Sequence, residues 1–150
     1  MQVVVAAVVI VAAVIVGLVL RSRRTVDVPT QPRAAVPTQL DRADFPGDDG
    51  SALRAPWLVV AFTSATCTTC ADVARKAKVL ATPQVAVVEV EYMANRGLHT
   101  KYAIDAVPIV AIADSDGVVR AGFAGPVSAT DLWAAVAEAR QPGTSPSDCS

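Results

Sequence analysis

The sequence predicts an α/β domain, a mixed central sheet flanked by helices, set behind one N-terminal membrane-spanning helix and a proline-rich linker. Three observations carry this reading: an apolar run from Val3 to Leu20, an alternation of strand-like and helix-like segments between Trp57 and Arg140, and the pair Cys67-Thr68-Thr69-Cys70 where one kind of segment gives way to the other. The chain has 150 residues, enough for one domain of ordinary size, and 53% of them are hydrophobic, more than such a domain needs. The excess lies at the N-terminus.

Every residue from Val3 to Leu20 is apolar or glycine, and as a helix the run spans about 27 Å against roughly 30 Å of hydrocarbon core. A cleaved signal peptide is the competing reading, but no basic residue precedes the run and no small-x-small site follows it. Residues 1–24 are therefore read as a bilayer anchor with a basic flank. Arg21, Arg23 and Arg24 follow the span and no cation precedes it, so the positive-inside rule favours a single-pass protein with its remaining domain on the cytoplasmic side. The extracytoplasmic orientation is the alternative.

Residues 25–56 contain Pro29, Pro32, Pro37, Pro46 and Pro56 and the acidic turn Asp48-Asp49-Gly50, a composition that resists helix and sheet, and they read as a linker. Within it Leu40 and Phe45 leave two readings open for residues 38–46, docking as a short strand or turn, or an extended loop. Trp57 to Thr63 is apolar up to its last residue, which predicts a strand buried on both faces. Cys67 to Leu80 places Val73, Ala74, Ala77 and Leu80 at helical spacing with Arg75, Lys76 and Lys78 between them. Val85 to Val90 predicts a second buried strand, parallel to the first through that helix.

Arg96 to Tyr102 predicts a short helix, with His99 on its surface. Ile109 to Ala113, the turn Asp114-Ser115-Asp116-Gly117 and Val118 to Phe123 predict a hairpin. Ser128 is a candidate N-cap, with Asp131 in the capping-box position, for a last helix that packs Leu132 and Val136 on the sheet. The domain is thus 57–140, and 141–150 is a polar tail carrying Cys149.

Three cysteines are too few for a disulfide-dense scaffold, and a formal charge of −1 offers no basic field for nucleic acid. Cys67 and Cys70, three apart at the first turn of a helix, lie close enough to bridge. The outer thiol faces unpaired helix amides, which favour the thiolate. One CxxC with a distant lone histidine is weak evidence for zinc, so no metal site is assigned. A redox-inactive or copper- or zinc-binding interaction module is the alternative use of the pair.

The order of elements, with Phe62 before the active loop, Cys67-Thr68-Thr69-Cys70, Lys101-Tyr102-Ala103-Ile104-Asp105-Ala106-Val107-Pro108 and the Asp-Gly hairpin, resembles the thioredoxin superfamily over about Trp57 to Arg140. The resemblance implies a thioredoxin-like fold and a thiol–disulfide oxidoreductase without a cofactor, acting on protein disulfides or dithiols with an electron donor or acceptor the sequence does not name. It makes Cys67 the attacking thiol and Cys70 the resolving one, puts Thr66, Thr68, Thr69, Val107 and Pro108 against the substrate, and makes Pro108 cis. A trans Pro108 opening an edge strand is the plain alternative. The chain departs from the pattern at Thr66, where tryptophan is typical, at Thr68-Thr69 in place of Gly-Pro, and at Ala61, where a buried aspartate usually stands. Glu89 is a weak candidate for the missing proton acceptor, a solvated strand-end carboxylate being its plainer reading.

Overall fold

The apolar run Trp57–Thr63 forms the central strand, β1, and every residue after Trp57 is buried, because both faces of the sheet are covered. The computed structural model describes residues 35–143. The span expected at 3–20, its three arginines and Cys149 lie outside the described residues. Among the described residues, no helix is long and apolar enough to cross a membrane.

After β1 come α1 (Cys70–Lys78), β2 (Val85–Glu91), α2 (Arg96–Lys101), β3 (Ile109–Ala113), β4 (Val119–Ala124) and α3 (Ala129–Arg140). The four strands pair in the order β2-β1-β3-β4, with β2 parallel to β1 and the other neighbours antiparallel. β2 is an edge strand, so only Val85 and Val90 are buried and the expectation of a fully buried strand does not hold. Predicted and observed strand ends otherwise agree within one residue, since turn chemistry fixes them: the Asp114 side chain accepts from the N–H groups of Asp116 and Val118, both at 3.0 Å.

One face of the sheet is covered by α1 and α3. Val73 and Ala77 of α1 and Leu132 and Val136 of α3 pack with Val59, Val85, Val110 and Ile112. Ser128 caps α3, its hydroxyl accepting from the Asp131 N–H at 3.0 Å. That cap and the apolar stripe dock the helix as its spacing predicts.

The opposite face is closed partly by α2 and partly by an arm, residues 36–45, from the proline-rich segment. Leu40 and Phe45 are each 1% exposed and pack with Leu58, Val60, Phe62, Ile104 and Ile109. Phe45 meets Phe62 edge to face, with centroids 6.3 Å apart. The arm lies beside the hairpin: the Leu40 N–H donates to the Gly117 carbonyl at 2.8 Å and the Val119 N–H to the Thr38 carbonyl at 3.0 Å. Gly117 has φ +76, and a Cβ there would run into the Leu40 carbonyl oxygen.

Polar contacts lock the arm further. The Arg42 guanidinium donates to the carbonyls of Asp114, Ala52 and Ala55 at 2.8, 2.6 and 2.6 Å. Lys101 pairs with Asp44 at 2.6 Å, the Tyr102 hydroxyl donates to the same carboxylate, and the Asp41 N–H donates to that hydroxyl at 2.9 Å. The arm carries core side chains and is built into the domain at both ends.

Candidate active site

At the end of β1 the chain turns away from the sheet through Ser64-Ala65-Thr66 and enters α1 at Cys70. The Cys67 N–H donates to the Ser64 carbonyl at 3.0 Å, so Cys67 precedes the helix that the spacing would have begun there. Glu91, at the end of β2, holds this loop from the side: its carboxylate accepts from the Ala65 N–H at 3.1 Å and the Ala94 N–H at 2.9 Å. Those N–H donors, Ala94's first, draw the Glu91 carboxyl below its ordinary value. Nothing in the sequence marks Glu91, because a carboxylate at a strand end reads as solvated until the loop it holds is known.

Cys67 and Cys70 are joined by a disulfide, with Cα atoms 5.3 Å apart, inside the range such bonds require. Their settings differ. Cys70 is 1% exposed beneath the first turn of α1, whereas Cys67 is half-buried at the surface of the loop. The Cys70 N–H donates to the Cys67 sulfur at 3.2 Å, and the Thr69 hydroxyl lies 3.5 Å from that sulfur. That helix N–H, which the sulfur shares with the Cys67 carbonyl at 3.3 Å, and the nearby hydroxyl favour the anionic form of the reduced sulfur.

The Val107–Pro108 peptide bond is cis, and the Val107 carbonyl oxygen lies 3.9 Å from the Cys67 sulfur. Thus two segments distant in sequence meet at one atom. The Thr66 and Ser64 hydroxyls share a hydrogen bond at 3.1 Å, and Thr68 is exposed on the loop.

Two expectations change. His99 is 3% exposed, not on the surface: its Nε2 lies 3.0 Å from the Val90 carbonyl, and its ring meets Phe62 and Tyr92 edge to face. The six-residue helix α2 turns that residue inward, onto Val90 of β2 and Phe62 of β1. Glu89 is more than a solvated strand end, since it accepts from the buried Thr63 hydroxyl at 3.1 Å and pairs with Lys78 at 2.9 Å. Ala61, its partner in the sheet, brings no acid to the site.

A central strand leads into a paired CxxC, with a cis-proline loop against the outer sulfur, in a thioredoxin-like arrangement. No protein-family model matches the sequence, and no curated protein matches it. Among solved structures, a chloroplastic thioredoxin z is 23% identical, covering 59% of this chain and 82% of its own, with a TM-score of 0.53. A malarial protein is 18% identical over 55% of this chain and 94% of its own, with a TM-score of 0.50. The thioredoxin of Fasciola hepatica is 26% identical over 55% and 79%, with a TM-score of 0.49. The likeness to the thioredoxin z structure is one of fold: the domain has a thioredoxin-like fold.

Proposed function

We propose that this protein is a thiol–disulfide oxidoreductase that exchanges the Cys67–Cys70 couple with protein partners, and that residues 3–20 hold it to a bilayer with the domain on the cytoplasmic side. The observation that carries the reading is the asymmetry of the pair: one sulfur at the surface, receiving a helix N–H, and one buried beside it. In the reducing direction the Cys67 thiolate attacks one sulfur of a partner disulfide. A Cys67–sulfur bond forms, the partner's bond breaks, and the departing thiolate takes a proton from solvent.

Cys70 then loses its proton and attacks Cys67, forming the disulfide seen here and releasing the partner's second thiolate, which is protonated in turn. Two electrons pass from the protein to the partner. The reverse sequence oxidises a partner dithiol with the same bonds. The exposure of Cys67 beside a buried Cys70 supports Cys67 as the sulfur of the first attack.

Catalysed reduction of insulin disulfides by dithiothreitol tests the activity, with Cys67→Ser as the control. Turnover that vanishes in the variant is expected; equal rates with and without the protein would defeat the reading. Topology is tested separately by fusing a reporter that fluoresces only in the cytoplasm after Ser150. Fluorescence is expected, and a dark fusion together with an active exported-enzyme fusion would reverse the orientation.

A further inference from the structure

A groove of about 640 Å³ lies between the end of β1, α2 and the loop before Pro108, lined by Ser64, Tyr92, His99, Thr100, Asp105 and Val107 among others. Ser64 and Val107 tie it to the reacting atom, the first through its carbonyl bond to the Cys67 N–H and the second through the carbonyl 3.9 Å from the sulfur. Asp105 is exposed, two residues before Val107, and among the described residues its carboxylate has no hydrogen bond or ion pair. No lysine or arginine lines the groove.

Two cations stand near the groove. Lys101 is drawn to Asp44 and Asp41 at 2.6 and 3.7 Å, and Arg96 lies over the Tyr92 ring, 5.3 Å from its centroid, with its guanidinium on the Met93 sulfur. Glu91 adds a second negative charge at the edge of the active loop, held by backbone N–H groups that do not neutralise it. The approach to Cys67 is therefore bordered by two carboxylates, one of them unpartnered.

Resting on the oxidoreductase reading, we propose that Asp105 selects partners by charge: the preferred substrates are protein disulfides whose reacting cysteine has a lysine or arginine within two residues. A substrate segment lying extended along Val107 carries side chains two residues apart about 7 Å from each other, and Asp105 stands in the loop that leads to Val107. A basic neighbour of the reacting cysteine meets the free carboxylate; an acidic one meets repulsion from both Asp105 and Glu91.

The test uses small disulfides, so that it reads the exchange step without requiring turnover. The reduced full chain is mixed at low ionic strength with cystamine, which carries ammonium groups, or with 3,3′-dithiodipropionate, which carries carboxylates, and the rate of Cys67 attack is followed for each. Unit charges at about 7 Å in a water-like medium give a rate ratio of roughly tenfold in favour of cystamine. Asp105→Asn is expected to lower that ratio at least about threefold, as is salt at about 1 M, where the Debye length falls to about 3 Å.

Asp116→Asn removes an equal charge from the exposed hairpin turn at the far end of β3 and is expected to leave the ratio unchanged. A ratio unmoved by Asp105→Asn, or moved equally by both variants, overturns the proposal. A Cys67 that reacts no faster than free cysteine with either disulfide argues against the oxidoreductase reading, while the ratio still reports on Asp105.

Discussion

The two faces of the sheet are closed by different means. Under α1 and α3 the covering residues recur at helical spacing, so Val73, Ala77, Leu132 and Val136 announce their burial in the order of the sequence. On the other face Leu40 and Phe45 do equal work from a proline-containing arm with no period at all. Burial there is set by where an irregular segment happens to cross the sheet, and its polar locks to Asp114, Lys101 and Tyr102 reach residues 57 to 72 positions away. A core face is legible in a sequence when one regular element supplies it.

Truncating one large side chain on each face measures the two kinds of closure against each other. Phe45→Ala is expected to cost about 3–5 kcal/mol and Leu132→Ala about 2–5 kcal/mol in urea unfolding of the full chain. A Phe45→Ala loss below about 1 kcal/mol would return the arm to the status of a loosely attached linker.

A second test isolates the crossing of arm and hairpin. Gly117 and Gly50 share a left-handed backbone, with φ of +76 and +72, but only at 117 would a Cβ strike the arm's backbone; at 50 it meets open space. Gly50→Ala is expected to lose about 1 kcal/mol from the backbone alone, and Gly117→Ala distinctly more. Equal losses would mean that the arm yields at no cost.

The polar lock is expected to contribute less. Tyr102→Phe removes the hydroxyl shared by Asp44 and the Asp41 N–H, and about 1–2 kcal/mol should go with it. Hydrogen bonds from Lys101 and Tyr102 hold Asp44 below its ordinary value of 3.8, so its share is full above about pH 4 and lost as pH falls through the lowered value. Burial first, and then the bond to Asp44, raises Tyr102 above its ordinary 10.0, so its share is full below about pH 10 and lost as pH rises through the raised value. The stability difference between wild type and Tyr102→Phe should be flat between those limits and shrink outside them; a difference that falls between pH 5 and 9 would assign the lock to other groups.

The smallest effect is expected at the loop itself. Thr69→Val removes the hydroxyl near the Cys67 sulfur and should slow alkylation of the reduced Cys67 at neutral pH less than about fivefold. A faster reaction would show that the hydroxyl shields the sulfur instead of favouring its anion.

The site divides along the same line as the faces. The CxxC at a strand-to-helix junction is a local signal, so the closeness of Cys67 and Cys70 was legible, whereas a proline opening a strand reads alone as trans and the cis Val107–Pro108 bond was expected only from the resemblance. Glu91 and Asp105 were not legible, since each acts through a loop that only the fold brings beside it. His99 misled for a related reason: in a helix of six residues, spacing does not say which side meets the sheet.

The most direct test of the dithiol chemistry is a redox titration of the full chain carrying Cys149→Ser, with free thiols counted across graded mixtures of reduced and oxidised dithiothreitol. The expected result is a single two-electron transition in which two thiols appear together, lost when Cys67 is also replaced by serine. A thiol count that stays constant across the whole series would contradict it.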